Sequence, residues 1–460
     1  MRPPRSLWWE TRGESDGERP ALAGDLDVDV AIVGGGYTGL WTARELLERD
    51  PALRVAVLEK NVCGFGASGR NGGWASALFP ISDAGVARRW GVEALTHQRH
   101  VLYDAVEGLG AAAAAEGIDA QIVRGGTVSL ARTPAQAARL EAEVATSRDL
   151  GVAEADLAWL DADSARERVG ATRVRGATYT PHCARLHPAR LVRGLARAIE
   201  RRGALVFEGT AVTKILSWPG RRPAVVTVGG VVTADFVVRA TEGFTPTLPG
   251  ERRTVVPLYS LLVATAPLGG RFWETAGLAR RETFNDDRHL LIYGQRTADD
   301  RLAFGGRGSP YHVGSTVEPR FDRDDRVFAR LETTLRDLFP ALDAEFTHRW
   351  GGPLAMPRDR VPSADVDHAT GLASAGGYSG DGVVLSWVAA TALADLIVDP
   401  AADTAATRLP FVRRSSRRWP VEPWRWLGIN AGLHLAGRAD AAEDAGGSSR
   451  WTRWLERLLG

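Results

Sequence analysis

A chain of 460 residues with a formal net charge of +1 has material for two or three hydrophobic cores, at roughly 100–200 residues per domain. Near-neutrality excludes the strong basic field by which proteins hold nucleic acid, so partners have to be argued from local sites. Lys60 and Lys214 are the only lysines, and Cys63 and Cys183 the only cysteines. The cysteine spacing excludes a thiolate metal cluster and suits a reducing compartment, read here as the cytoplasm.

Residues 1–24 read as an N-terminal arm. Its opening, MRPPRSLWWETRGESDG, puts no apolar stretch behind the basic start, so neither a signal peptide nor a membrane span is expected. Residues 28–33 then form an apolar run of strand length, and residues 40–47 carry apolar side chains at helical spacing. Between them, VGGGYTGL places Gly34, Gly36 and Gly39 in the order G-x-G-x-x-G, with Tyr37 and Thr38 at the helix start. In this context Gly34 permits a tight turn, Gly36 lets backbone approach a pyrophosphate, and Gly39 lets helix and strand pack closely. The helix N-terminus offers unpaired N–H groups and a positive dipole end to the phosphates.

A second strand, Val55 to Leu58, ends at Glu59, twenty residues beyond Gly39, and Lys60 follows. A carboxylate there accepts hydrogen bonds from both ribose hydroxyls of an adenosine and argues against a 2′-phosphate, hence against NADP. Residues 61–73 form a glycine-dense loop containing Ala67, Ser68, Arg70, Asn71, Gly72 and Gly73, with Trp74 next. An NAD domain continues through ordinary βαβ units. This second loop instead favours FAD, with backbone N–H groups, the Ser68 hydroxyl and the Arg70 guanidinium turned toward a pyrophosphate or flavin edge.

After Pro80, alanine-rich helical stretches lead to a strand at 126–130 and a helix at 134–149. A helix at 191–201, strands at 204–207 and 211–212, and the run 234–243 resume the first pattern. Strand-like runs at 258–264, 290–293 and 302–304 dominate up to about residue 323, and a helical stretch follows at 327–338. Gly377, Tyr378, Gly380, Asp381, Gly382 and Val383 then open a long helical pattern. The order predicts an α/β cofactor domain from 25–85, 186–250 and 345–400, interleaved with a substrate domain from 86–185 and 251–344. From 401 onward a tail rich in Arg, Trp and Pro ends in RWTRWLERLL at 450–459; it either packs back as a short amphipathic helix or touches a membrane surface or partner.

Four separated stretches carry a family resemblance: Gly34 to Gly39 with Glu59, Ala67 to Trp74, Ala240 to Gly243, and Gly377 to Val383. On them the chain resembles the FAD-dependent oxidoreductases of the D-amino-acid oxidase superfamily, and the SLWWE, GYTGL and ASGRNGG segments resemble its gamma-glutamylputrescine oxidase branch. The resemblance implies a glutathione-reductase-type Rossmann domain and a substrate domain whose antiparallel sheet roofs the flavin. It implies Val212 near the adenine, with Ala240, Thr241 and Gly243 close to the cofactor. It also brings the helix after Gly382 to the pyrimidine side of the ring, where its positive end stabilises the anionic reduced flavin.

Two departures stand out. Asp381 occupies a position where relatives carry histidine, and the expectation is an N-cap with its side chain turned from the flavin. Ala303 matches the position of a lysine that assists oxygen reduction in sarcosine-oxidase-like relatives. No Cys or His stands in the 67–74 loop, so FAD is expected to be non-covalent. Arg70, Tyr259, His289, Tyr293 and Arg307 are the candidate pocket residues: an arginine holds a substrate carboxylate as a bidentate pair, and an aromatic faces an amine.

The expected activity is removal of hydride from the carbon beside a neutral amine nitrogen of a small amine or amino-acid-type substrate, delivered to flavin N5. Electrons pass to O2 or to a carrier. A dehydrogenase of the same fold serving a quinone or protein carrier, and a non-catalytic flavin-binding protein, stay open as alternatives.

Overall fold

The computed structural model describes residues 4–13 and 17–447. In chain order, β1 (Val30–Val33) runs into α1 (Tyr37–Arg49) and returns as β2 (Val55–Leu58). Every residue of β1 and β2 is buried, as in parallel strands covered on both faces. The long helix α2 (Val92–Ala115) precedes β3 (Thr127–Ala131), β4 (Ala158–Asp161) and β5 (Gly176–Thr180). Next come α3 (Pro188–Arg201), β6 (Leu205–Phe207) and β7 (Phe236–Arg239). Four strands follow, β8 (Val256–Thr265), β9 (Thr283–Asp286), β10 (Ile292–Arg296) and β11 (Leu302–Gly306), then α4 (Asp325–Leu338) and β12 (Phe346–Met356). The series closes with β13 (Ser363–Asp367), β14 (Leu372–Gly376), α5 (Gly382–Val398) and α6 (Trp424–Asp444).

Two large sheets organise these elements in an α/β fold. The six-stranded sheet has the order β13-β14-β7-β1-β2-β6, parallel except for the edge strand β13. On it pack α1, α2, α3 and α5 around one core that includes Trp41, Leu46, Leu102, Leu109, Leu195 and Leu393. Helix α5 is apolar nearly all round because it lies between α1, α2 and the sheet.

The eight-stranded sheet has the order β12-β8-β11-β10-β9-β3-β5-β4, antiparallel except between β9 and β3. Period-two alternation gives it two faces. Val263, Phe284, Phe304 and Ile292 pack on Phe328 and Leu335 of α4 on one side, while Leu262, Tyr293, Ala303 and Trp350 face the other.

Two expectations about organisation need correction. The stretch 86–115 was assigned to the substrate domain, yet Leu95, Leu102, Val106 and Leu109 of α2 belong to the core of the six-stranded sheet. The return to the cofactor domain was set at 345, yet β12 pairs with β8 from Phe346 to Met356. Local patterning identifies a strand but not which sheet supplies its partner. Of the two readings of the tail, its first part packs back on the protein: Leu409 and Phe411, 2% and 0% exposed, complete the cofactor-side core. The expected terminal helix at 450–459 lies outside the described residues. Among the described residues no helix is long and apolar enough to cross a membrane.

Candidate functional site

A trench runs from the carboxyl ends of β1 and β2 to the underside of the eight-stranded sheet. Its nucleotide end is a cavity of about 120 Å³ lined by Gly34, Gly36, Glu59, Lys60, Val212, Ala240, Thr241 and Gly243 among others. A middle cavity of about 70 Å³ adds Tyr37, Thr38, Tyr378, Gly382 and Val383. A far cavity of about 130 Å³ is bounded by Arg70, Gly72, Trp74, Tyr293, Arg307, Gly380 and Asp381. Ala67 borders all three, so they form one continuous channel.

At the nucleotide end the glycines are required by space. A Cβ on Gly39 would stand 2.0 Å from the Gly34 carbonyl oxygen, and one on Gly36 2.9 Å from Ser68 Oγ. Glu59 accepts hydrogen bonds from the N–H groups of Gly35 and Asn61, both at 2.8 Å, and burial pushes its carboxyl up. Its remaining lone pairs are available to hydroxyl donors. The N–H of Tyr37 donates to Ser68 Oγ at 2.8 Å, whereas the Tyr37 ring is buried and its hydroxyl donates to the Pro188 carbonyl. The hydroxyls of Thr38 and Tyr378 hydrogen-bond at 3.0 Å, tying α1 to the turn before α5. Gly377 lies behind the channel wall, its N–H donating to Glu242 Oε2 at 2.8 Å.

The loop 67–74 is held from several sides. Asn71 spans it, donating to the Ala67 and Ser68 carbonyls and accepting from the Gly73 N–H. Trp8 Nε1 of the N-terminal arm donates to the Asn71 carbonyl, and Trp350 Nε1 to that of Arg70. Gln295 Nε2 donates to the carbonyls of Gly72 and Gly73. Arg70 itself is 4% exposed, with Nη1 on Asp322 at 2.6 Å and on the Gly351 carbonyl at 2.8 Å. Among the described residues its Nη2 has no partner, nor do the buried Trp74 Nε1 and Asn285 Oδ1, and all three residues line the far cavity. Buried polar atoms left without partners mark a place for a ligand. The bare glycine turn and the Glu59 carboxylate fit an FAD laid along the nucleotide and middle cavities, and the two donors Arg70 Nη2 and Trp74 Nε1 and the acceptor Asn285 Oδ1 belong to the space at its far end.

Sheet parity brings some candidates together and separates others. Tyr293 reaches the far cavity from β10, its hydroxyl bonded to Ser260 at 2.8 Å and pushed up to about 12 by burial. Arg307, just beyond β11, donates to the Ser379 carbonyl at 2.5 Å and faces Asp381. Tyr259 does not line the cavity: its neighbours Ser260 and Leu262 do, and alternation turns it toward His312 and Phe321. His289 is also absent, since its ring bonds Glu443 of α6 at 3.0 Å and its N–H donates to Asp440. Ala303 lies on the expected face but packs with Leu7, Trp8 and Trp350 outside the cavity, and Tyr293 covers the next position, Gly305.

Asp381 departs from its expected role. Its side chain makes no capping hydrogen bond to α5 and instead lines the far cavity, where burial pushes the carboxyl up to about 6 against the opposing pull of Arg307. Sequence reasoning missed Glu242, which lines the channel and accepts from the N–H groups of Ala355 and Gly377, with burial pushing it up to about 7. A charged residue between Thr241 and Gly243 was its signal. Ser260, Asn285 and Gln295 carried none, because a polar residue in a strand gains meaning only when its facing partner is known.

The chain from 29 to 396 matches the family model described as FAD dependent oxidoreductase, DAO. It is 30% identical over 393 residues to a probable oxidoreductase OrdL of Rhizobium meliloti, covering 83% of this chain and 86% of the relative. It is 30% identical over 377 residues to the gamma-glutamylputrescine oxidoreductase of Escherichia coli, covering 81% and 84%. The crystal structure of glycine oxidase from Geobacillus kaustophilus superposes with a TM-score of 0.71 at 24% identity, covering 85% of this chain and 99% of that one. Motif, channel and relatives agree, and the chain belongs to the DAO family of FAD-dependent oxidoreductases.

Proposed function

We propose that the enzyme oxidises the carbon–nitrogen bond of a small amine or amino-acid-type substrate bound in the far cavity. The observation that carries this reading is the convergence of Arg70, Arg307 and Asp381 with the rings of Trp74 and Tyr293 around one cavity at the far end of the cofactor channel. The relatives named for gamma-glutamylputrescine and glycine support the same substrate class. When bound, the flavin supplies the redox chemistry, accepting a hydride equivalent from the carbon next to nitrogen. The chain's own part is orientation and electrostatics. Arg70, with Nη2 free, holds a carboxylate or carbonyl oxygen; Asp381 holds an ammonium group and takes up its proton; Trp74 and Tyr293 exclude water.

Among the described residues no Cys or His lines the three cavities, which supports a non-covalent flavin released by acid. The buried free thiols of Cys63 and Cys183 support a cytoplasmic setting. The test is the visible spectrum of the purified protein without air, before and after adding polyamines, their gamma-glutamyl derivatives and N-methyl amino acids, then with air readmitted. Bleaching by an amine is expected, whereas bleaching only by alcohols or 2-hydroxy acids would sink the reading.

A carrier rather than O2 as the electron acceptor is a second reading, favoured by the lack of lysine in the far cavity and by exposed Val421, Trp424, Trp426 and Leu427 beside the arginines of the tail. These aromatic and basic groups suit a membrane surface or a protein carrier. Colour that returns at once in air would overturn it.

A further inference from the structure

A second cavity, of about 640 Å³, lies between α2 and the helix Pro134–Asp149 and shares Ser76 and Leu78 with the wall of the far cavity. Nothing in the proposed reaction uses it. Its charged walls are mostly self-satisfied: Arg99 pairs with Asp83 at 2.6 Å, and Arg139 with Asp287 at 2.7 Å and Glu443 at 2.9 Å. Among the described residues three groups lack a partner for at least one polar atom. Gln98 is 2% exposed and its Oε1 has no partner. His182 stacks on Tyr103 at 3.5 Å and bonds Asp156 through Nε2 at 2.8 Å, while its Nδ1 has no partner. Glu143, an exposed residue, borders the cavity and makes no ion pair among the described residues, because Arg139 one turn before it is engaged by Asp287 and Glu443.

All three vacancies have the same chemical sign. A carboxylate partner requires His182 Nε2 to donate, and burial lowers this histidine's affinity for a second proton, so Nδ1 presents a lone pair. The Gln98 carbonyl and the Glu143 carboxylate are acceptors as well. Partial desolvation by the surrounding protein, with Asp287 and Asp83 nearby, pushes the Glu143 carboxyl up to about 7 while the residue still reaches solvent. The complement to a set of acceptors with surplus negative charge is a compact cation rich in N–H donors.

We propose that this chamber receives a second, remote ammonium group of the substrate, so that the enzyme selects a diamine-type cation over a monoamine of equal length. The proposal rests on the amine reading of the far cavity and adds the class of its substrate. The reacting nitrogen lies in the far cavity, the intervening methylenes pass Ser76 and Leu78, and the distal ammonium meets Glu143, Gln98 and His182.

The test follows anaerobic flavin reduction in the holoenzyme against concentration, for a ladder of straight-chain diamines and the matching monoamines. Expected is tighter apparent binding of the diamine at one preferred length, and a loss of that preference by roughly tenfold to a hundredfold in Glu143→Gln, as for removal of a charged hydrogen-bond partner. Gln98→Leu, which removes an acceptor on a different helix, is expected to reduce the preference in the same direction. Equal binding of diamine and monoamine, or a preference untouched in both variants, overturns the chamber's role while leaving the amine reading intact. Failure of every amine to bleach the flavin overturns both.

Discussion

Glu59 shows how one side chain links local spacing to ligand affinity. It already holds the N–H groups of Gly35 and Asn61, and its remaining lone pairs point toward the nucleotide end of the channel. Glu59→Ala is expected to weaken FAD retention by about 1–3 kcal/mol, read as the flavin-to-protein ratio after gel filtration. Asp381 gives a pH-dependent counterpart. Folding raises its carboxyl from 3.8 to about 6, so ionising it costs stability. The cost is absent below about pH 4, grows between about 4 and 6, and is complete above that. Asp381→Asn is therefore expected to raise stability by about 1–3 kcal/mol near pH 8 and to have little effect near pH 4, checked by thermal melts at the two pH values.

At the scale of elements, the 67–74 loop is a short segment with little structure of its own, positioned by three remote donors. Trp8 comes from the arm, Trp350 from β12 and Gln295 from β10. Gln295 is fully buried, and its amide satisfies two loop carbonyls at once. Gln295→Ala leaves the Gly72 carbonyl unpaired, leaves the Gly73 carbonyl with the Leu186 N–H as its remaining partner, and opens a void beside Gly73. A loss of about 1–3 kcal/mol in stability is expected, together with weaker flavin binding, measured by denaturant titration and flavin release. The loop's composition announced a ligand contact. Which carbonyls would be held, and by what, depended on strands more than two hundred residues away in sequence.

For the whole molecule, the chain after 400 closes both halves. Phe411 and Leu409 finish the cofactor-side core, while α6 docks on the other side through Asp440 and Glu443. Phe411→Ala is expected to cost about 3–5 kcal/mol, seen as a lower denaturation midpoint, because a large ring leaves a cavity in a closed core. His289 belongs to this docking surface, which is why a residue that read as a pocket candidate proves to be a clasp for α6.

The sequence by itself determined what local spacing and backbone sterics dictate. The G-x-G-x-x-G turn, the acidic end of β2, the second glycine loop and the apolar helix after Gly382 each depend on residues within a few turns of one another, and together they line one channel. Tertiary structure alone decided which strands share a sheet and which face each side chain takes. A one-residue step along a strand reverses its face, so Tyr259 left the pocket while Ser260 entered it, and Asp381 turned from helix cap to cavity wall once Arg307 was brought opposite.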